Sequence, residues 1–262
     1  MVTSTDTKSV IRDGVKLAYV DTGSGDPPLL FIHGWCCNHT HWRDQIPEFA
    51  QRHRVVAVDL RGTGDSHAPD QDYTVPEFVD DVVWLTREIG LERPVIIGHS
   101  MGGQIALNIA RKHPELTLGA VFVDAVMMPF PEQFQPLLAS TIEGMKSPAY
   151  RETTTKFVKS FLFNTESPTA MKDDIAEAMA MAPQRLMHTA IASTTAEGNM
   201  LPGPIPVPSL FVRAATLPAT EDDLKARYPG MQVATVDCAH FIQMEKPQEF
   251  NAILRAFVEK VA

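Results

Sequence analysis

The chain has 262 residues and a mass of 28.9 kDa, the size of one large α/β domain with room for an inserted lid rather than of two independent domains. Hydrophobic residues at 44% supply a full core, while a net charge of −9 and an isoelectric point near 5.4 argue against nucleic acid and anionic membrane surfaces as partners. The polar start, the lack of an apolar run long enough for a bilayer, and three cysteines, Cys36, Cys37 and Cys238, two of them adjacent, favour reduced thiols and a cytoplasmic monomer or homodimer.

Val10-Ile11 and Val15 to Val20, around Asp13-Gly14, read as a hairpin of two edge strands. Pro28 to Ile32 is a continuous apolar strand of the kind buried on both faces of a parallel sheet, and it ends in His33-Gly34-Trp35. Trp42 to Gln51 reads as a helix. Val55 to Val58 is the next buried strand, followed by the turn Asp59-Leu60-Arg61-Gly62-Thr63-Gly64-Asp65-Ser66. Pro76 to Ile89 carries Phe78, Val79, Val82, Val83 and Leu85 at helical spacing. Pro94 to Ile97 and Ala120 to Asp124 are strands on either side of a helix from Gly103 to Lys112. After an interruption come a strand at Ser209 to Val212, a helix near Asp222 to Arg227, a strand at Gln232 to Val236 and a closing helix from Pro247 to Lys260. Such alternation means a mostly parallel sheet with helices on both faces, the α/β class.

The interruption, residues 127–206, contains no good strand. Its apolar residues, such as Phe157, Phe161 and Leu162, or Ile175, Met179 and Leu186, sit at helical spacing, and it closes on the stiff linker Pro202-Gly203-Pro204-Ile205-Pro206-Val207-Pro208. This is the expected helical cap over a core made of residues 1–126 and 207–262. Its methionines and phenylalanines serve first as glue between cap and core. Collectively they predict an apolar, adaptable cleft, with His33, Met127, Met128, Phe157 and Phe161 as its lining.

Chemistry concentrates at Gly98-His99-Ser100-Met101-Gly102, a strand-turn-helix with a serine at the turn. Two glycines let the turn hold Ser100 in an exposed pose, and the helix behind it aims its positive end at the serine. A hydroxyl is a poor nucleophile near neutral pH until a base takes its proton. His240, in Asp237-Cys238-Ala239-His240-Phe241 between the last strand and the last helix, lies at the same carboxyl edge and is the expected base. An oxyanion developing at the reacting centre needs two main-chain N–H groups, expected from Met101 and Trp35. Cys36-Cys37-Asn38-His39-Thr40-His41 has the letters of a metal site but lacks the spacing, so no metal is expected.

Taken in order, His33-Gly34, Asp59 to Ser66, Gly98 to Gly103 and Ala239-His240-Phe241 resemble the α/β-hydrolase superfamily over nearly the whole chain outside the cap. The resemblance implies a serine–histidine–acid triad, no cofactor, and a fold that supports many substrates. The acid departs from the common pattern. Family members usually place an aspartate after the strand that here is Ser209 to Val212, where this chain reads Arg213-Ala214-Ala215-Thr216-Leu217-Pro218. Phe122-Val123-Asp124-Ala125 is similar to the segment that carries the acid in haloalkane dehalogenases, so Asp124 is the expected third member, with Glu221 and Asp222 as alternatives. Those dehalogenases use an aspartate nucleophile followed by a tryptophan, where this chain has Ser100 and Met101. The resemblance therefore points to hydrolysis of a hydrophobic or aromatic ester or lactone, with carbon–carbon bond hydrolysis or a non-catalytic receptor as alternatives.

Overall fold

The computed structural model describes residues 6–262. Its strands are β1 (Thr7–Arg12), β2 (Val15–Thr22), β3 (Leu29–Ile32), β4 (Val55–Asp59), β5 (Val95–His99), β6 (Gly119–Val123), β7 (Ser209–Ala214) and β8 (Gln232–Val236). The helices are α1 (Ile46–Phe49), α2 (Val75–Glu88), α3 (Met101–Lys112), α4 (Gln135–Lys146), α5 (Tyr150–Phe161), α6 (Thr169–Met179), α7 (Gln184–Thr194), α8 (Glu221–Arg227), α9 (Ile242–Glu245) and α10 (Pro247–Val261). The strands form one sheet in the order β1-β2-β4-β3-β5-β6-β7-β8. Only the β1–β2 and β2–β4 pairs are antiparallel.

Strand alternation divides the core between the two faces of this sheet. Leu30, Ile32, Val56, Val58, Ile96 and Phe122 face α2 and α3, in a cluster that continues into Met145, Val158 and Leu186 of α4, α5 and α7. Leu29, Phe31, Ala57, Ile97 and Val121 face the other way, onto Trp42 and onto Phe250, Leu254 and Phe257 of α10. The strands at the centre are buried on both sides, which is why they read as unbroken apolar runs.

Two expectations need correction. Of the two hairpin strands β1 alone lies at an edge of the sheet; β2 pairs with β4 along Ala18–Thr22 and lies inside it. The helix expected from Trp42 to Gln51 is a 3-10 turn at His39–Trp42 followed by the single turn α1. Pro47, in the first turn of α1, lacks the N–H and clashes with the carbonyl four residues back, so one continuous helix cannot run through it.

The four helices between β6 and β7, α4 to α7, add no strand to the sheet. They are tied to the rest by side chains: the Trp35 indole donates to the Met187 carbonyl at 2.9 Å, and Gln104 of α3 donates to the Val126 and Thr194 carbonyls, both at 3.0 Å. Among the described residues no helix is long and apolar enough to cross a membrane.

Candidate active site

The carboxyl ends of β3, β5 and β6 lie side by side, and each leaves the sheet through a strained residue. Cys36, Ser100 and Asp124 have φ of 53°, 54° and 42°, a left-handed region costly for side chains other than glycine. At Ser100 the strain is held by its neighbours. A Cβ on Gly98 would lie 2.1 Å from the Gly102 carbonyl oxygen, and one on Gly102 would lie 2.3 Å from that of Ile32. The Ser100 N–H donates to the Val123 carbonyl at 2.9 Å. Ser100 is thereby fixed at the N-terminus of α3, whose first residue, Met101, has no partner for its N–H within the helix. The β3 exit runs beside it: a Cβ on Gly34 would be 3.2 Å from the Ser100 Cβ, so the segment that continues into Trp35 leaves β3 alongside the serine.

His240 follows β8. Its Nδ1 donates to Asp124 Oδ2 at 2.7 Å, while Asp124 Oδ1 accepts the Ala214 N–H at 2.9 Å. The second bond matters because a main-chain amide can only donate, so it fixes which face of the carboxylate meets the imidazole. The loop carrying His240 is held from both sides, its N–H donating to the Leu162 carbonyl at 3.3 Å and its carbonyl accepting from His99 Nε2 at 2.9 Å. The His99 and His240 rings are 4.6 Å apart, and burial keeps His99 neutral, far below its ordinary value. Glu221 instead pairs with Lys225 at 2.5 Å on the exposed side of α8, and Asp222 is exposed beside it.

Ser100, His240 and Asp124 open onto one cavity of about 440 Å³, within the range of small-molecule sites. Trp35, Phe157 and Phe161 form much of its apolar wall, Trp35 edge-on to Phe157 at 6.1 Å and Phe157 stacked on Phe161 at 5.3 Å. No lysine or arginine lines it among the described residues. Cys37 also lines it, but burial pushes that thiol up and away from thiolate, so it is no rival nucleophile.

The family profile described as an alpha/beta hydrolase fold matches residues 27–247. The chain belongs to the α/β-hydrolase fold family. It is a hydrolase whose curated relatives include a haloalkane dehalogenase of Sphingobium indicum, 30% identical over 95% of this chain and 93% of that protein. Among solved structures, an N-acyl homoserine lactone degrading enzyme superposes with a TM-score of 0.81 at 25% identity, over 95% of this chain and 100% of the other. An esterase of Thermogutta terrifontis superposes with a TM-score of 0.83 at 23% identity, over 98% and 99%, and shares the fold.

Within this α/β-hydrolase, two expected lining residues lie elsewhere. His33 is fully buried behind the cavity: its Nδ1 donates to the Gly34 carbonyl at 2.8 Å and its Nε2 accepts the Leu60 N–H at 3.0 Å, so it braces the β3 exit against the β4 exit. Met127 is also fully buried, packed in the core rather than facing the cavity, and Met145, Met187 and Met200 share that fate. The expected Met128, Phe157 and Phe161 are on the wall, and Met179 joins Met128 as a methionine there. Phe130, Phe134, Phe163, Thr194 and Thr195 are among further lining residues that were not singled out from sequence. The phenylalanines among them had one available signal, their recurrence within a segment otherwise poor in aromatic residues.

The two clusters set aside from sequence have structural work. Asp59 accepts from the His39 N–H at 2.7 Å, from His39 Nδ1 at 2.9 Å and from the Asp65 N–H at 2.9 Å, closing the β4 exit turn on itself. Arg61 carries that turn onto α2, with Nε on Asp81 at 2.5 Å and Nη1 on Glu77 at 2.5 Å. His41 is buried against Phe241, ring centroids 6.0 Å apart.

Proposed function

We propose that the protein is a serine hydrolase that cleaves a neutral, hydrophobic carboxylic ester or lactone through an acyl-enzyme, with residues 127–206 as its cap. The observation that carries this reading is the Nδ1–Oδ2 bond of 2.7 Å between His240 and Asp124, in the cavity that also receives Ser100 at the tip of its strained turn. With Nδ1 donating to the carboxylate, the neutral ring presents Nε2 as the acceptor a hydroxyl nucleophile needs.

In this mechanism Ser100 Oγ attacks the substrate carbonyl and its proton passes to His240 Nε2. The tetrahedral oxyanion is held by the Trp35 and Met101 N–H groups, the latter at the positive end of α3. Asp124 stabilises the imidazolium. Collapse breaks the bond to the leaving oxygen, which takes the proton from Nε2, leaving an acyl-Ser100 ester. Water then attacks that ester with His240 again as base, giving the acid and free Ser100.

Relatedness to a haloalkane dehalogenase does not carry its chemistry over. A carboxylate that displaces a halide forms an ester, which water can cleave. A serine doing so would form an ether, which water and imidazole cannot cleave, and the enzyme would stop after one turn. Ser100 therefore requires an acyl substrate. The absence of a cation on the cavity wall, among the described residues, favours a neutral substrate over the carboxylate-bearing acids that carbon–carbon hydrolysis of this kind would involve.

The test is p-nitrophenyl butyrate turnover by the parent and Ser100→Ala, with intact-protein mass spectrometry of acid-quenched parent. A butyryl adduct on Ser100 and loss of turnover in the variant are expected. Full turnover by Ser100→Ala would remove the nucleophile assignment.

A further inference from the structure

A second hollow of about 260 Å³ lies on the outer side of the α4–α7 layer. Its floor is the α4 stripe Gln135, Leu138, Ala139 and Ile142, spaced i, i+3, i+4, i+7, so that one helix face turns three apolar side chains to it. Four of its lining residues, Pro129, Phe130, Leu138 and Thr195, also line the active-site cavity. The same side chains thus form the partition between the two spaces.

The aromatic wall of the cavity leads to that partition. From Trp35, beside Ser100, ring centroids step 6.1 Å to Phe157, 5.3 Å to Phe161 and 6.4 Å to Phe130. Ring faces and edges along this track offer dispersion contact and no hydrogen-bond partner, which suits hydrocarbon. Phe130 and Leu138 are half-buried, and such side chains change rotamer far faster than an enzyme turns over. A partition of that kind passes a thin flexible chain more readily than a ring.

We propose that the outer groove is the distal part of the substrate site, and that it takes the far end of a long unbranched alkyl chain whose ester carbonyl lies at Ser100. The proposal rests on the ester-hydrolysis reading for the identity of the reacting end. Phe130 is then a specificity residue, dividing substrates that end inside the cavity from those that pass through.

Ala139 gives the clean perturbation, because it is exposed on α4 and lines the groove without lining the cavity. Ala139→Trp fills the groove and Ala139→Glu puts a charge in it. The measurement is the ratio of kcat/KM for p-nitrophenyl laurate to that for p-nitrophenyl butyrate, below the micellar concentration, with melting curves to confirm folding. Each methylene brought out of water is worth about fourfold in binding, so excluding two from the groove lowers the ratio by about tenfold or more in both variants. Phe130→Ala, which opens the partition, raises it. An unchanged ratio in both Ala139 variants would overturn the proposal. The same comparison is made without turnover by calorimetric titration of Ser100→Ala, with and without Ala139→Trp, using 2-undecanone and 2-pentanone. If the parent cleaves no ester but Ala139→Trp weakens only the longer ketone, the groove stands and the ester reading falls. If neither ketone responds to Ala139→Trp, the groove is refuted whatever the enzyme cleaves.

Discussion

Asp124→Asn offers the sharpest test of the proposed triad. The substitution keeps size and shape and changes which atoms donate. The Ala214 N–H, 2.9 Å from Oδ1, requires an acceptor, so the asparagine carbonyl oxygen turns towards β7 and its NH₂ group takes the place of Oδ2. That NH₂ then faces His240 Nδ1, where the carboxylate accepted at 2.7 Å. The imidazole meets the new donor by placing its proton on Nε2, the one nitrogen that must be free to receive the serine proton. The same tautomer error in a serine–histidine–aspartate triad lowers kcat by about 10⁴, equivalent to about 5.5 kcal/mol of transition-state stabilisation. The assay is kcat on p-nitrophenyl butyrate with melting temperature as the folding control, and ¹⁵N resonances of His240 to read the tautomer. A kcat within tenfold of the parent, or an equal loss in Glu221→Gln or Asp222→Asn, would refute the reasoning.

Three further outcomes follow from the geometry. Arg61→Ala leaves the buried Asp81 carboxylate with Arg12 alone, at 2.9 Å, and should cost about 3 kcal/mol in urea unfolding; a loss below about 1 kcal/mol would show the pair to be idle. Gly102→Ala drives a methyl into the Ile32 and His33 carbonyls, at 2.3 and 2.5 Å, and should destabilise by about 2–3 kcal/mol, whereas Gly198→Ala, in open space, should change stability by less than about 0.5 kcal/mol. Burial holds His41 neutral down to about pH 4 against an ordinary 6.5, so the unfolded chain takes up the proton first. Stability then falls as pH drops from 6.5 towards 4 and is unaffected by this group above 6.5; His41→Gln should spare about 2–3 kcal/mol of the loss between pH 7 and 4.5.

How much of this was legible from residues alone depends on what each residue needed. The buried strands stood out because Pro28 to Ile32 and Val55 to Val58 lie between helices on both faces and alternate with nothing polar. Ser100 stood out because its two glycines and flanking elements are consecutive. Asp124 came from the resemblance of Phe122-Val123-Asp124-Ala125 to the dehalogenase segment, with Glu221 and Asp222 left open, and the 2.7 Å bond to His240 joins residues 116 apart that no local pattern connects. The cavity wall was harder. A methionine or phenylalanine at helical spacing does not announce which way its helix is rolled, and the roll is set by long-range packing such as Trp35 against Met187 and Phe157. Hence Phe157 and Phe161 of α5 reach the cavity, whereas Met127, on the irregular segment leaving β6, is buried in the core. His33 misled for a related reason: its position at a strand exit suits a pocket, but its two ring nitrogens were already engaged by the main chains of Gly34 and Leu60.

The three left-handed residues at the ends of β3, β5 and β6 set stability and activity against each other. Each costs of order 1–3 kcal/mol that a glycine would not. A chain selected only to stay folded, or to hold a ligand without transforming it, would gain by drifting to glycine at Ser100 and Asp124, where the side chains make no hydrophobic contribution to the core. Ser100→Gly should accordingly melt higher than Ser100→Ala while both are equally inert. The native chain carries this tension at the two positions where the proposed nucleophile and its proposed acid project from a turn, which is what a working catalyst, rather than a retired one, would tolerate.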